Sequence, residues 1–193
     1  MFAKNLILQK VNLIDNKIKK KKHNHSFLGG GKTVNNVNKL TQNSITEINR
    51  AQNKARENGN TMVEQLHLCY ALLSGTDSLN YKLIELCGVN AKGLLEEVDS
   101  KISRLPKVHG ANGELYLDKF LSTALAESEK IANQMKDEYV SVEHLFLGLL
   151  TTPSTVMKSL FYPYCIFLTQ LHQQLLPTVL VTPVVFRRHA QDH

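Results

Sequence analysis

The sequence predicts an all-α domain that contains an internal repeat. Residues 40–73 and 117–150 align without a gap at a constant offset of 77 and are identical at eight positions. Thr41 and Asp118, both residue types that cap helices, stand at equivalent positions before runs with apolar residues at helical spacing. The identical pairs are Leu40/Leu117, Thr46/Thr123, Ala55/Ala132, Val63/Val140, His67/His144, Leu68/Leu145, Leu72/Leu149 and Leu73/Leu150.

Each copy is predicted to hold two successive helices. The helix after Asp118 has an apolar stripe with the period of 3.6 residues, and its weaker counterpart in the first copy is expected to stop at Gly59. The second helices are expected over residues 64–74 and over residues 142–151, with Ser141 as a cap. Because both are apolar nearly all round, they should lie at the centre of the domain.

Two more helices are predicted between the copies, over residues 79–87 and 91–103. Gly88 suits a left-handed helix end, and Asn90 can cap the following helix. Pro106, Gly110 and Gly113 indicate a connector. The repeat also predicts a helix from Thr155, which fails at Pro163.

Composition excludes several classes of protein. At 193 residues and 42% apolar residues, the chain can form one ordinary domain with appendages but not a multidomain enzyme. Three cysteines, Cys69, Cys87 and Cys165, give no disulfide framework and indicate a reducing compartment. No apolar run is long enough to span a membrane, and there is no secretory signal pattern. We expect a soluble intracellular protein of the cytoplasm or an organelle matrix.

The positive charge is concentrated at the start of the chain. Residues 1–39 carry nine lysines and one acidic residue, whereas residues 40–161 carry a net charge of −3. The arm has apolar positions before a lysine run at 19–22 but no arginine, so it only partly matches an organelle presequence. A solvated tail, a targeting extension and a phosphate-binding arm all remain open.

No catalytic, cofactor or metal site is predicted. Ser26 replaces the first glycine that a phosphate-binding loop needs, so the Gly-Lys-Thr at 31–33 is interpreted as a hinge. His67 and His144 lack metal-ligand spacing and are expected to be hydrogen-bonded structural residues. His23 and His25 alone do not make a metal site. Cys69 and Cys87 are expected to be small buried apolar residues.

Four stretches, in this order, resemble the N-terminal domain of the Clp unfoldases, the Clp repeat domain, most closely in the ClpB-type AAA+ disaggregase chaperones. They are LTQNSITEINRAQ, VEQLHLCYALL, ISRLPKVHG and DEYVSVEHLFLGLL. The resemblance implies two pseudo-repeats of about four helices related by an approximate twofold axis. It divides the chain into a basic arm (1–37), a Clp N-terminal domain (38–161) and a divergent tail (162–193).

The resemblance also implies a non-catalytic module that engages unfolded or aggregated clients for an ATP-driven unfoldase. The positions that match substrate contacts of the ClpB type are Thr41, Asp137 and Glu143. Each has a structural interpretation as well: Thr41 as a helix cap, Glu143 as a favourable charge near a helix start, and Asp137 as a turn residue. The chain alone is expected to be monomeric, without a membrane partner.

Two other functions stay open. One is a standalone accessory or adaptor-binding subunit of a Clp protease assembly, and the other, which the acidic core disfavours, is nucleic-acid binding through the lysine arm. Pro163, Pro177 and Pro183 interrupt the tail, which we interpret either as an artefact of the gene prediction or as part of a genuine short isoform. Loss of the second repeat's remaining helices would expose Leu145, Leu147 and Leu149 unless the tail covers them.

Overall fold

The computed structural model describes residues 39–108 and 115–164, which form seven α-helices and two short strands. The all-α class is therefore confirmed. The elements, in chain order, are α1 (Gln42–Glu57), β1 (Met62–Val63), α2 (Gln65–Leu73), α3 (Leu79–Leu86), α4 (Ala91–Ser103), β2 (Tyr116–Leu117), α5 (Lys119–Gln134), α6 (Val142–Thr151) and α7 (Thr155–Phe161). A 3-10 turn, Tyr162–Tyr164, follows α7.

Several expectations lie outside the described residues. They concern the arm, the hinge at 26–33, His23 and His25, the glycines of the connector, Cys165, and the tail beyond Tyr164.

Side-chain caps start the helices where the sequence placed them. Thr41 accepts from the amide of Ser44 at 3.2 Å, and Asp118 accepts from the amides of Phe120 and Leu121. Asn90 likewise accepts from the amide of Gly93 at 3.0 Å. These bonds satisfy donors that the first turn of a helix leaves free, so the predicted helix starts are confirmed.

The short segment that precedes the first helix of each copy pairs with the other copy, an exchange of leading segments that the sequence did not predict. Residues 39–41, which precede α1, run beside Val140 of copy two, and residues 116–118, which precede α5, pair in parallel with β1 of copy one. The amide of Thr41 donates to Val140 O at 3.0 Å, and the amide of Asp118 donates to Val63 O at 3.0 Å. All four residues of these bonds are repeat equivalents. We call the pairing at Val140 the first crossing and the pairing at Val63 the second crossing.

The first helix of each copy ends in the same way. The amide of Asn60 donates to Ala55 O at 2.9 Å, and the equivalent amide of Asp137 donates to Ala132 O at 2.9 Å. Gly59 and its equivalent Lys136 are left-handed, with φ of 75° and 61°. This pattern is the Schellman ending, in which a left-handed residue lets the chain bond back onto its own helix.

Helices α2 and α6 lie at the centre of the domain, as predicted. Nearly every side chain of both helices is buried, including those of Leu145, Leu147 and Leu149. Helix α6 approaches α5 closely at Gly148, where an added Cβ would collide with Ser128 Oγ and Ala124 O. The closeness of this helix pair therefore depends on the absence of a side chain at position 148.

Candidate functional site

Thr41 lies at the first crossing and is held there by its own hydrogen bonds. Its hydroxyl lies 2.9 Å from Ser44 Oγ, and Ser44 Oγ donates to Val140 O at 2.8 Å. Because the single proton of Ser44 is used by Val140, the hydroxyl of Thr41 must donate to Ser44. Only one acceptor lone pair and the methyl group of Thr41 remain for a ligand. The predicted capping role of Thr41 is confirmed.

Asp137 stands on the other side of the crossing, in the turn between α5 and α6. Its side chain is 51% exposed, and its Oδ2 lies 3.2 Å from Nε2 of the buried His144. The amide of Ser141 donates to His144 Nδ1 at 3.0 Å, so the neutral ring carries its proton on Nε2, facing Asp137. Nε2 nevertheless forms no hydrogen bond, so Asp137 and His144 are close neighbours rather than a hydrogen-bonded pair.

Glu143 occupies the first turn of α6 and is 9% exposed. The positive end of the helix dipole favours a carboxylate at this position. Within the part of the chain that the structure describes, this carboxylate has neither a hydrogen bond nor an ion pair with another group. Both oxygens of this carboxylate keep some contact with solvent, so they can accept hydrogen bonds from a ligand.

The structure brings the three predicted site residues to one place. Asp137 and Glu143 flank Val140 by three residues on either side, and Thr41 is hydrogen-bonded to Val140 through its amide. Tyr139, which the sequence analysis did not select, is 46% exposed between them. The signal for Tyr139 was a large apolar side chain in a predicted turn, at the repeat position of Met62. The candidate site thus combines carboxylates, an aromatic ring and an exposed turn.

The two equivalent histidines are structural, as predicted. His67 accepts from the amide of Glu64 at 2.9 Å, and its Nε2 lies 3.1 Å from Asn60 Oδ1. Copy two repeats this arrangement with Ser141, His144 and Asp137. The serine, histidine and carboxylate of copy two resemble a hydrolytic triad, but Glu64 and Asn60 replace the serine and the carboxylate in copy one. The recurrence indicates a helix-capping device that fixes the turn before each central helix.

The cysteines and potential metal ligands add no chemistry to the site. Cys69 is fully buried, and burial raises the pKa of its thiol to about 12, so it is an unreactive apolar residue as expected. Cys87 was expected to be a buried apolar residue but is only half-buried, and this partial burial raises the pKa of its thiol. Residues 39–108 and 115–164 contain no cluster of three or more potential metal ligands, and no helix among them is long and apolar enough to cross a membrane.

The described residues thus form an all-α double repeat whose leading segments cross. The Clp repeat (R) N-terminal domain family matches residues 39–162. The chain belongs to this family.

Curated relatives of the chain are ClpB chaperones. The chaperone protein ClpB of Porphyromonas gingivalis is 36% identical over 126 residues, which make up 64% of this chain and 14% of the relative. The chain therefore spans about one seventh of the length of the ClpB relatives that it matches.

Solved Clp N-domains share the fold. The Hsp104 N-terminal domain from Candida albicans aligns with a TM-score of 0.63 and 22% identity, over 70% of this chain and 88% of that domain. A ClpV N-domain in complex with a VipB peptide aligns with a TM-score of 0.57 and 17% identity, over 72% of this chain and 87% of that chain.

Proposed function

We propose that the first crossing binds extended segments of unfolded or aggregated proteins on behalf of a ClpB-like, ATP-driven chaperone. The domain itself would perform no chemistry, and the ATPase modules that act on the client would be those typical of ClpB. The solved ClpV N-domain, which holds a VipB peptide, supports a peptide-binding role for this fold.

The observation that carries this proposal is the unpartnered carboxylate of Glu143. An extended client exposes backbone N–H groups and apolar side chains that a folded protein has already satisfied or buried. Glu143 can accept from such an N–H group, and the exposed carboxylate of Asp137 can accept from a second one. These charge-assisted bonds form at the edge of a buried core, where water competes less than at an open surface.

Tyr139 supplies the apolar part of the surface. An exposed tyrosine offers a large, rigid contact area together with a polar hydroxyl, a combination that suits interfaces. The carboxylates accept hydrogen bonds from backbone N–H groups, and the ring packs against any apolar side chain. The surface is therefore expected to bind weakly and with little sequence preference. Such binding suits a module that passes its clients onward.

Binding of fluorescein-labelled casein, an unfolded client, to the full chain tests the proposal by fluorescence anisotropy. Glu143→Gln keeps the side-chain volume but removes the charge and is expected to weaken binding about fivefold to tenfold. Glu57→Gln, at the exposed end of α1, is the control with the same charge change and should bind like the wild type. Equal affinities of all three proteins would contradict the proposed site.

Thr41 requires a pair of variants because it also caps α1. Thr41→Ser keeps the capping oxygen and removes the methyl group, whereas Thr41→Ala removes both. If Thr41 contacts the client through its methyl group, both variants weaken casein binding, while only Thr41→Ala lowers the urea midpoint of unfolding. Casein binding that falls only with the loss of stability would assign Thr41 a structural role alone.

The same protein preparations also test the alternative function as an accessory subunit. It requires stable binding to a folded Clp ATPase hexamer and indifference to unfolded casein. A pull-down with a folded ClpB hexamer, run beside the casein titration, distinguishes the two functions.

A further inference from the structure

The second crossing exposes a group of large apolar side chains. Met62 and Tyr116 lie opposite each other in the parallel pairing and are 42% and 57% exposed. Because side chains alternate along a strand, their neighbours Val63 and Leu117 turn toward the core instead. Phe120 is exposed in the first turn of α5, a few residues beyond Tyr116.

The fold does not require aromatic residues at these positions. At the first crossing, the repeat equivalents of Tyr116 and Phe120 are Lys39 and Asn43, and the backbone there forms the same crossing. Polar residues therefore suffice for the structure. The exposed aromatic residues of the second crossing call for a role in binding.

Two carboxylates border this apolar group. Asp118 is bonded through its amide to Val63 O at 3.0 Å, and Glu64 follows Val63 directly. Neither carboxylate forms an ion pair with a lysine or arginine of the described residues. Burial raises the pKa of Glu64, and the negative charge of Asp118 acts in the same direction.

We propose that the second crossing is a separate docking surface for an extended partner segment that carries apolar side chains next to a lysine or arginine. The exposed apolar side chains pack against the apolar part of the partner segment. The lysine or arginine of that segment lies between Glu64 and Asp118, where it relieves the repulsion between the two carboxylates. This surface is independent of the client site at the first crossing. Together the two surfaces make the domain bivalent, with one surface on each of the two repeat-equivalent crossings.

The test is a titration of the ¹⁵N-labelled full chain with two short synthetic peptides, followed by NMR. One peptide alternates leucine and lysine, and the control alternates leucine and glutamate. We expect the first peptide to shift the amide signals of Met62 and Tyr116 and to bind more weakly as salt screens the carboxylates, whereas the control leaves these signals unchanged.

Variants at exposed positions, and one conservative change at the cap of α5, separate the two surfaces. Tyr116→Lys/Phe120→Asn installs the residues of the first crossing and is expected to weaken the leucine–lysine peptide about tenfold. Asp118→Asn keeps an N-cap residue, removes one charge, and should reduce the salt dependence of binding. Tyr139→Ser, at the first crossing, should leave the affinity of this peptide unchanged.

Four results would overturn the proposal. The first is equal binding of the two peptides, and the second is binding that Tyr139→Ser weakens as much as the double variant does. The third is an affinity that the double variant leaves unchanged. The fourth is a concentration-dependent dimer that the double variant abolishes, because the occupant would then be a second copy of this chain. Loss of casein binding in Glu143→Gln has no bearing on these outcomes, so each proposal can fail alone.

Discussion

The same turn makes different contacts in copy one and in copy two. In copy one, Asn60 is buried: its Nδ2 donates to Pro106 O at 2.8 Å, and its Oδ1 accepts from Asn58 Nδ2 at 2.8 Å while facing His67. In copy two, the equivalent Asp137 faces its histidine but leaves half of its side chain in solvent. Copy one therefore uses this position to hold the connector after α4, whereas copy two leaves half of the side chain in solvent.

The same contrast appears one turn later. Leu66 of copy one is buried in the core, whereas its equivalent in copy two is the unpartnered carboxylate of Glu143. Burying a leucine stabilises a domain, whereas a glutamate whose carboxylate keeps contact with solvent buries less apolar surface. Copy two is thus less optimised for stability around the first crossing. Such a local loss of stability is typical of a functional site.

The largest expected effect concerns His67 of copy one. Burial lowers the pKa of His67 to about 4 from its usual 6.5, so this histidine is neutral in the folded state and protonated in the unfolded state between those values. The unfolded state then binds more protons, and stability falls as the pH falls through this window. We expect His67 to account for a loss of about 3 kcal/mol between pH 7 and pH 4.

Urea unfolding at a series of pH values, with wild type and His67→Gln, measures this loss. Glu47 and Glu64 have a pKa raised by burial, so they favour the folded state at low pH and act in the opposite direction. Because both carboxyl groups are present in both proteins, the difference between the two curves isolates His67. An NMR titration of the His67 ring with a midpoint near its usual value would contradict the expectation.

The next effect concerns the tight helix pair of copy two. Gly148→Ala adds a Cβ that collides with Ser128 Oγ and Ala124 O, so we expect a loss of about 1–3 kcal/mol. A loss of stability in Gly148→Ala would be diagnostic because alanine normally stabilises a helix interior relative to glycine. Copy one has Ala71 and Ala51 at the equivalents of Gly148 and Ser128, so Gly148→Ala/Ser128→Ala should be less destabilised than Gly148→Ala. Thermal unfolding of the three proteins ranks them, and a more stable Gly148→Ala would refute the close approach.

Exchanging the residue types of Asn60 and Asp137 tests directly whether the two turns differ. Asn60→Asp replaces the amide that donates to Pro106 O with a second acceptor, and we expect a loss of about 1–3 kcal/mol. Asp137→Asn changes an exposed side chain and should stay within about 0.5 kcal/mol of the wild type, but it should weaken casein binding. Urea unfolding and the anisotropy titration measure both quantities. Equal destabilisation by the two variants would show that the turns are structurally interchangeable.

The sequence predicted most helix boundaries because caps and apolar spacing are local signals. Asn90, Asp118 and Ser141 each mark a helix start within one residue of its observed position. The crossings were not predictable in this way, since a strand of two residues shows no alternation and its partner lies far away in sequence. The resemblance supplied the site residues, but only the structure shows that Glu143 lacks a partner.

The smallest expected effect tests how closely the helix ends correspond. Lys136 adopts a left-handed φ of 61°, where its Cβ is strained, and its equivalent in copy one is Gly59. Lys136→Gly should therefore stabilise the domain by about 1 kcal/mol. An added Cβ at Gly59 would meet only ordinary contacts, the nearest being Lys107 Cβ at 3.7 Å, so Gly59→Lys should destabilise through strain alone. Opposite shifts of similar size in the urea midpoint would show that both copies need a left-handed residue at this point. A loss of stability in Lys136→Gly would mean instead that the lysine side chain contributes more than its backbone conformation costs.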